Sequence, residues 1–536
     1  MRFFNTAGPI DPKKHYYVPC RLNEAEMQQL IEQEKYFILH APRQSGKTTA
    51  IMMFVNELNK KDNYKALYIN VEPAQAARGN VKEGLFTILR IIKSHMHRTF
   101  PQQPLAFFDS LKADEISGNS LYECLEYISQ HLDKPLILFI DEIDSLVGDT
   151  LISVLRQLRA GYPNRPALFP QAICLIGVRD VRDYRIWSSE EHNFVLGGSA
   201  FNIKAESLVL SNFSLEQVRN LYHQHTQETG QKFTDEAVDY AFYLTQGQPW
   251  LVNALAYQAC FRDVTDRNQP ITKDIIERAK ETLIVRRDTH IDQLIHKLQE
   301  PRVCKIIDAI ISGKDIPEEF PIDDISYVID LGLVTRKNQR LQISNPIYQE
   351  IIPRELSYGT QLSITQQTAW YQNPDGSLNM HKLMDAFTQF YRENSDIWLE
   401  KFAYKEAGPH LLLMAFLQRV INGGGKLHRE YALGRKRVDL LVEWSYSAKA
   451  SDVAKAMTDK TKDRHAQQRI VIEMKIKRDK KTIPEGLEQT GNYMDTNNAT
   501  EGHLVVFDRT PNKPWDEKIF NQEHKVGNDT ITVWGM

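Results

Sequence analysis

One stretch does most to limit what this chain can fold into. Tyr36-Phe37-Ile38-Leu39-His40 is an apolar, strand-like run. Ala41-Pro42-Arg43-Gln44-Ser45-Gly46-Lys47-Thr48 follows it and opens a helical pattern at Thr49. A loop of this kind, between a buried strand and a helix N-terminus, turns backbone N–H groups toward one point beside a lysine and a hydroxyl. A triphosphate needs that arrangement. Pro42, Arg43, Gln44, Ser45, Gly46, Lys47, Thr48 and Thr49 would surround the β- and γ-oxygens, Lys47 would neutralise them, and Thr48 would hold Mg²⁺. The glycine usual at the start of such a loop is replaced by Ala41, which requires a negative φ there.

A second motif supports the first. Leu136-Ile137-Leu138-Phe139-Ile140 reads as a buried strand that ends in Asp141-Glu142. An acidic pair after a strand is otherwise an exposed turn or a helix cap. Downstream of a phosphate loop, Asp141 would complete the magnesium shell and Glu142 would act as general base toward the attacking water. After the next strand come Gly177-Val178-Arg179-Asp180, where Arg179 is the polar candidate for sensing a γ-phosphate; Arg182 and Arg185 are read equally well as surface salt-bridge formers.

Short β-branched runs alternate with helical stretches from about Tyr16 to Phe201, the pattern of a parallel α/β sheet covered on both faces. From Ser214 to about Leu298 the periodicity is helical throughout. Arg302 to Ile352 reads as two helices and a hairpin, a winged-helix order, and a polar linker follows. Two further helices then lead into strands REYA and RVDLLVEW, a polar stretch, strand RIVIEMKI, helix PEGLEQTGNYMD and strand HLVVF. The resulting division is an ATPase core over 1–210, a helical lid over 211–298, a winged helix over 299–354, a linker over 355–378 and a C-terminal αβββαβ domain over 379–536.

Composition narrows the partners. In 536 residues, 66 Lys+Arg against 69 Asp+Glu leave a net charge of -3, so any nucleic-acid contact has to come from a local patch. The longest apolar runs fall far short of the roughly 20 residues that span a bilayer. Five scattered cysteines without CxxC pairing fit reduced thiols. The expectation is a cytoplasmic chain with no membrane partner, and self-association is left open.

The loop, the acidic strand end and two further segments resemble the AAA-type ATPases of the signalling, STAND-like branch. Tyr17-Val18-Pro19-Cys20-Arg21 is similar to that branch's lead-in to the adenine pocket. Thr245-Gln246-Gly247-Gln248-Pro249-Trp250 is similar to its Gly-x-Pro turn in the lid. The resemblance implies ATP as ligand, Pro249 near the nucleotide and a winged helix after the lid. The weak sensor region departs from the pattern and leaves an arginine finger unassigned. The second winged-helix segment, Pro321 to Asp330, carries three aspartates and no Lys or Arg. It would repel phosphates, so a structural or gating role is favoured over DNA reading.

Two apolar strands near the C-terminus carry charges that must be paired or do chemistry. Asp439 lies in one; Glu473 and Lys475 lie two apart in the next and share a face. As neighbours they would form a two-carboxylate, one-lysine magnesium site. Gln489 and Tyr493 sit four apart on the following helix. This set resembles the PD-(D/E)xK nuclease superfamily. The resemblance implies Asp439, Glu473 and the Met474 carbonyl as metal ligands and Lys475 as catalytic, with Gln489 and Tyr493 in support. It also implies a further acid at Glu406 or Glu400, and phosphate contacts from Arg429 or Arg435. A buried ion pair in an inactive nuclease fold is the plain alternative. From Gln361 onward 25 basic residues stand against 23 acidic ones, so the basic patch from Lys475 to Lys481 is local. The whole chain resembles fused AAA-like ATPase–nuclease proteins. The implied function is an ATP-regulated, Mg²⁺-dependent nuclease cleaving phosphodiester bonds, with DNA rather than RNA the expected substrate. The alternative is an ATP-dependent switch whose C-terminal domain binds nucleic acid or a protein without cutting.

Overall fold

The computed structural model describes the chain except residues 20, 103–105, 110–114, 181–184, 189–192, 287–293, 295, 312–319, 338–339, 353–370, 402–407, 422–424, 429–439, 448–464, 478, 511–512 and 528. Contacts divide it into two units: Met1–His290 with Pro321–Arg336, and Ile291–Phe320 with Lys337–Met536.

The first unit is built on α1 (Glu24–Glu32), β1 (Tyr36–His40), α2 (Lys47–Lys61), β2 (Lys65–Asn70), α3 (Val81–Thr99), α4 (Ser120–His131), β3 (Leu136–Asp141), α5 (Gly148–Ala160), β4 (Ala172–Gly177) and β5 (Lys204–Val209). The five strands form one parallel sheet in the order β2-β3-β4-β1-β5. A parallel sheet is covered on both faces, so its strands read as unbroken apolar runs rather than alternating ones. β3 and β4 are buried at every position. Alternate residues still sort to opposite faces. Ile38, Leu138, Ile140 and Leu175 pack with α3, α4 and α5, whereas Phe37, Leu39, Phe139 and Ile176 pack with α1 and α2. The loops at the carboxyl ends of β1, β4 and β3 therefore meet at one edge of the sheet.

The lid follows as α6 (Leu215–Thr229), α7 (Asp235–Thr245), α8 (Pro249–Gln258) and α9 (Lys273–Arg286). Ser214 and Gln217 close a capping box at the start of α6. The N-terminal segment is strapped across this lid. Phe4 and Tyr16 are fully buried, the Tyr16 hydroxyl donates to His225 Nδ1 (3.3 Å), and His225 Nε2 donates to Gln231 Oε1 (2.9 Å). Trp250 Nε1 donates to the Thr6 carbonyl (2.8 Å). The Ile10 N–H donates to Thr49 Oγ1 (3.1 Å), so the strap also reaches the start of α2.

After α10 (Pro301–Ile311), in the second unit, comes α11 (Ile322–Asp330), in the first. Short strands β6 (Val334–Lys337) and β7 (Arg340–Ile343) stand where the hairpin is expected.

The second unit continues with α12 (Met380–Lys401), α13 (Gly408–Ile421), β8 (Gly425–His428), β9 (Leu440–Ser447), β10 (His465–Ile476), α14 (Thr482–Asn497), β11 (Glu501–Phe507), β12 (Phe520–Val526) and β13 (Asp529–Gly535). Its sheet runs β8-β9-β10-β11-β13-β12, with β10, β11 and β13 mutually parallel and the other pairs antiparallel. The expected strand REYA, residues 429–432, falls outside the described residues; β8 lies just before it. HLVVF, expected as the last strand, is not the last, because β12 and β13 extend the sheet beyond it. A tight turn at Gly527 (φ +62) joins them, and β13 is buried along its last five residues. Helix α14 lies close over β11. A Cβ at Gly486 would come within 2.7 Å of Leu504, and one at Gly502 within 2.3 Å of Met494 Sδ. Among the described residues no helix is long and apolar enough to cross a membrane.

Candidate functional site

The loop between β1 and α2 has the conformation its sequence demands. Gln44 (φ +56) and Gly46 (φ +85) take the left-handed turn, and Ala41 does not, which meets the condition set by the missing glycine. Lys47 is buried, and its ammonium donates to the carbonyls of Ala41 (2.7 Å) and Pro42 (3.0 Å). Burial pushes its pKa down against the opposing pull of Glu142 and Asp141. An anion beside the ammonium would offset the cost of burying it. Among the described residues, the buried Ser45 Oγ makes no hydrogen bond. An orphaned hydroxyl inside a loop of backbone donors fits a phosphate ligand.

Thr48 and Asp141 are brought together, with Thr48 Oγ1 donating to Asp141 Oδ2 at 2.7 Å. An alcohol and a carboxylate in contact are hard oxygen donors, a set that fits Mg²⁺. The same carboxylate oxygen accepts from Tyr68 Oη (2.8 Å), and Asp141 Oδ1 accepts from the Glu142 N–H (2.9 Å). Glu142 stands in left-handed backbone at φ +57. Burial, then Asp144 and Asp141, raise its pKa above the usual carboxylate value. A carboxylate so raised is a better base than an exposed one.

Arg179, at the end of β4, is nearly buried and sits beside Asp330 rather than in a surface pair. Arg182 lies outside the described residues. Pro249 is the first residue of α8; the lid residue that reaches the loop is its neighbour, with Gln248 Nε2 3.5 Å from the Gln44 carbonyl. Thr49 Oγ1 is taken by the N-terminal strap. Arg43 is exposed. Sequence reasoning missed Tyr68, whose role depends on the register of β2 on β3. It also missed the part played by Arg21. That guanidinium donates to the carbonyls of Ser45 and Ser211 (2.7 Å for the latter) and lies 4.6 Å from the Phe213 ring. Burial lowers its pKa to about 10.

With this geometry in place, comparison decides the family. The model described as "AAA-like domain" matches residues 5–353, well over half of the chain. The chain belongs to the AAA-like family. Its fold is that of a P-loop ATPase, with the parallel five-stranded sheet and nucleotide-binding loop of that class. Solved structures similar to the AAA-like part include the Walker-type ATPase PABY2304 of Pyrococcus abyssi, with 14% identity over 65% of this chain and 99% of that one and a TM-score of 0.47. ORC1 of Aeropyrum pernix, in complex with DNA, gives 14% identity, 65% and 95% coverage and 0.33. The RuvB Holliday junction branch migration motor of Thermotoga maritima gives 14%, 62% and 94% and 0.31. At these scores they are likenesses only, and the family assignment rests on the sequence match. No curated protein matches the chain.

The match ends at residue 353, before the second cluster. In that cluster Glu473 is fully buried on β10, and Lys475 Nζ stands 2.6 Å from its Oε1. Val471, two residues earlier, belongs to the core shared by Leu441, Met494, Leu504 and Val506, against which Tyr493 packs. Glu473 and Lys475 thus face α14, the helix that carries Tyr493 and the half-buried Gln489. Met474 faces the other way and is buried. Asp439, Glu406, Arg429 and Arg435 lie outside the described residues, as does the side chain of Glu400. Among the described residues, no group of three or more His, Cys, Asp or Glu is placed to hold a metal. Beyond Lys475, the Asp508 carboxylate takes Lys477 (3.0 Å) and Lys513 (2.8 Å). Burial pushes its pKa up, but hydrogen bonds from Lys513, Thr510 and Lys477 outweigh this and hold it well below the usual range.

Proposed function

We propose that this AAA-like protein is an ATP-regulated, Mg²⁺-dependent nuclease whose substrate is DNA rather than RNA. In the AAA-like part, Lys47 and the loop N–H groups from Arg43 to Thr48 would bind the phosphates. Thr48 and Asp141 would hold the metal, which would supply neutralising positive charge to the bound phosphates. Glu142 would take the proton of the attacking water, and Arg179 would contact the γ-phosphate. In the C-terminal part, Glu473 with Asp439 and the Met474 carbonyl would hold a second Mg²⁺. Lys475 would orient water or steady charge on the scissile phosphate, while Gln489 and Tyr493 would brace the cluster from α14.

The observation that carries the nuclease reading is the Glu473–Lys475 pair. It sits on a central strand, on the face covered by a helix, where a charge has to be paired or do chemistry. The same 2.6 Å pair favours a second reading, in which it is structural and the C-terminal domain binds nucleic acid or a protein without cutting. A cleavage assay separates the two. Full-length protein, its Glu473→Gln form and its Lys475→Ala form are given supercoiled plasmid or structured RNA with Mg²⁺ and ATP. The nuclease reading expects both substitutions to abolish cutting while ATP turnover stays within about twofold, since the ATPase residues are elsewhere. Wild-type protein that cuts neither substrate in any nucleotide state, or variants that cut as well as wild type, would sink it.

A further inference from the structure

Helix α11 ends against the phosphate loop. Its last residue, Asp330, sets Oδ2 3.5 Å from Arg179 Nε and Oδ1 4.0 Å from His40 Nδ1. Tyr327 lies beneath the same guanidinium, 4.8 Å from ring centroid to Cζ. Just past the helix, Gly332 has φ +75, and a Cβ there would come within 2.8 Å of Pro42 Cβ and Cγ. His40 and Gly177 are register partners on β1 and β4, so His40, Pro42 and Arg179 come from adjoining strand ends. Both partners of the ion pair are sheltered, the side chains being 11% and 15% exposed. This acidic helix, which argued against phosphate contact with DNA, thus brings its carboxylate to the arginine that follows β4.

We propose that Asp330 sets the discrimination between ATP and ADP, because its carboxylate holds the Arg179 guanidinium that the γ-phosphate would otherwise take. The inference rests on Arg179 as the γ-phosphate contact. A guanidinium offers a fixed fork of donors, and a carboxylate already beside it competes for those donors and offsets part of the charge a second anion would meet. ATP has to displace the carboxylate to reach it, whereas ADP ends short of it. The exchange therefore weakens ATP selectively. It also releases the end of α11 and the Gly332 turn from the loop, which links the bound nucleotide to the position of that helix.

The test measures binding of ADP and of a non-hydrolysable ATP analogue to the full chain by calorimetry. Wild type, Asp330→Asn, Arg179→Ala and the double substitution are compared. Asp330→Asn is expected to tighten the analogue by about 5- to 50-fold, the size usual for contacting residues, and to leave ADP within about twofold. In the Arg179→Ala background the same change should do nothing. Gly332→Ala, which drives the turn off Pro42 without altering charge, should move the ratio in the same direction. Unchanged ADP affinity reports that each variant's loop is intact. The proposal falls if Asp330→Asn shifts both nucleotides equally, if its effect persists without Arg179, or if Gly332→Ala leaves the ratio unchanged. If Arg179→Ala weakens the analogue selectively while Asp330→Asn is silent, only this proposal fails. If Arg179→Ala leaves the ratio unchanged, the γ-phosphate role of Arg179 fails with it.

Discussion

Glu142 bears two separate strains, a left-handed backbone and a buried charge. Holding a non-glycine residue at φ +57 costs on the order of 1–2 kcal/mol. Its raised carboxyl pKa adds a pH-dependent term. For an acid raised on folding, the stabilising contribution is complete below the ordinary glutamate value. It is lost as pH rises through the raised one. Above that window the ionised group weakens the fold. Glu142→Gln should cut ATP turnover by about 10²- to 10³-fold and still bind ATP. It should also melt a few degrees higher, with a larger gain at pH 8 than at pH 5 in calorimetry. Lys47→Ala should lose nucleotide binding altogether, because Lys47 is the buried ammonium at the centre of the loop, whereas Arg43 is exposed. Tyr68→Phe should cost about 1 kcal/mol in denaturant unfolding, through the lost bond to Asp141. The phosphate-loop residues, Asp141 and Glu142 were legible because their spacing is local to one strand and one turn. Tyr68 and Asp330 were not, since each meets the site from a distant segment whose register no local pattern specifies.

At the scale of elements, the lid is tied to the loop through one turn. Gly247 has φ +72, and a Cβ there would lie 1.9 Å from the Phe213 carbonyl oxygen, while the Phe213 N–H donates to the Gly247 carbonyl at 2.8 Å. Phe213 in turn lies under Arg21, which grips Ser45. Gly247→Ala should therefore cost about 1–3 kcal/mol in unfolding and also weaken nucleotide binding, measured by fluorescence titration. Ser214→Ala removes only the cap of α6. It should cost about 1 kcal/mol and leave nucleotide affinity unchanged, which makes it the control. Buried parallel strands announced themselves as apolar runs, so the sheet of the AAA-like part could be read in advance. The β12–β13 hairpin was overlooked because β12 is mostly exposed and polar, and its alternation shows only once its buried partner is recognised.

For the whole molecule, the proposed nuclease would gain from being joined to an AAA-like ATPase only if one governs the other. Coupling of the usual size, roughly 1–3 kcal/mol, would change DNA affinity by about 5- to 150-fold between ADP and an ATP analogue. Titrating DNA onto the Glu473→Gln protein in each state measures it. Reciprocity requires DNA to shift ATP affinity by the same factor. Equal affinities together with equal wild-type cleavage rates in both states would reject the coupling. The strap across the lid has a consequence for biosynthesis. Tyr16 waits for His225, a separation of 209 residues, and Trp250 comes 244 residues after Thr6. At ribosomal rates of about 5–20 residues per second, the strap waits roughly 10–50 s before its partners are synthesised. Throughout that interval Phe4 and Tyr16 lack the lid residues that bury them. Translation speed, and chaperones that shelter aromatic side chains near the start of the chain, should therefore govern how much of this protein reaches its native state.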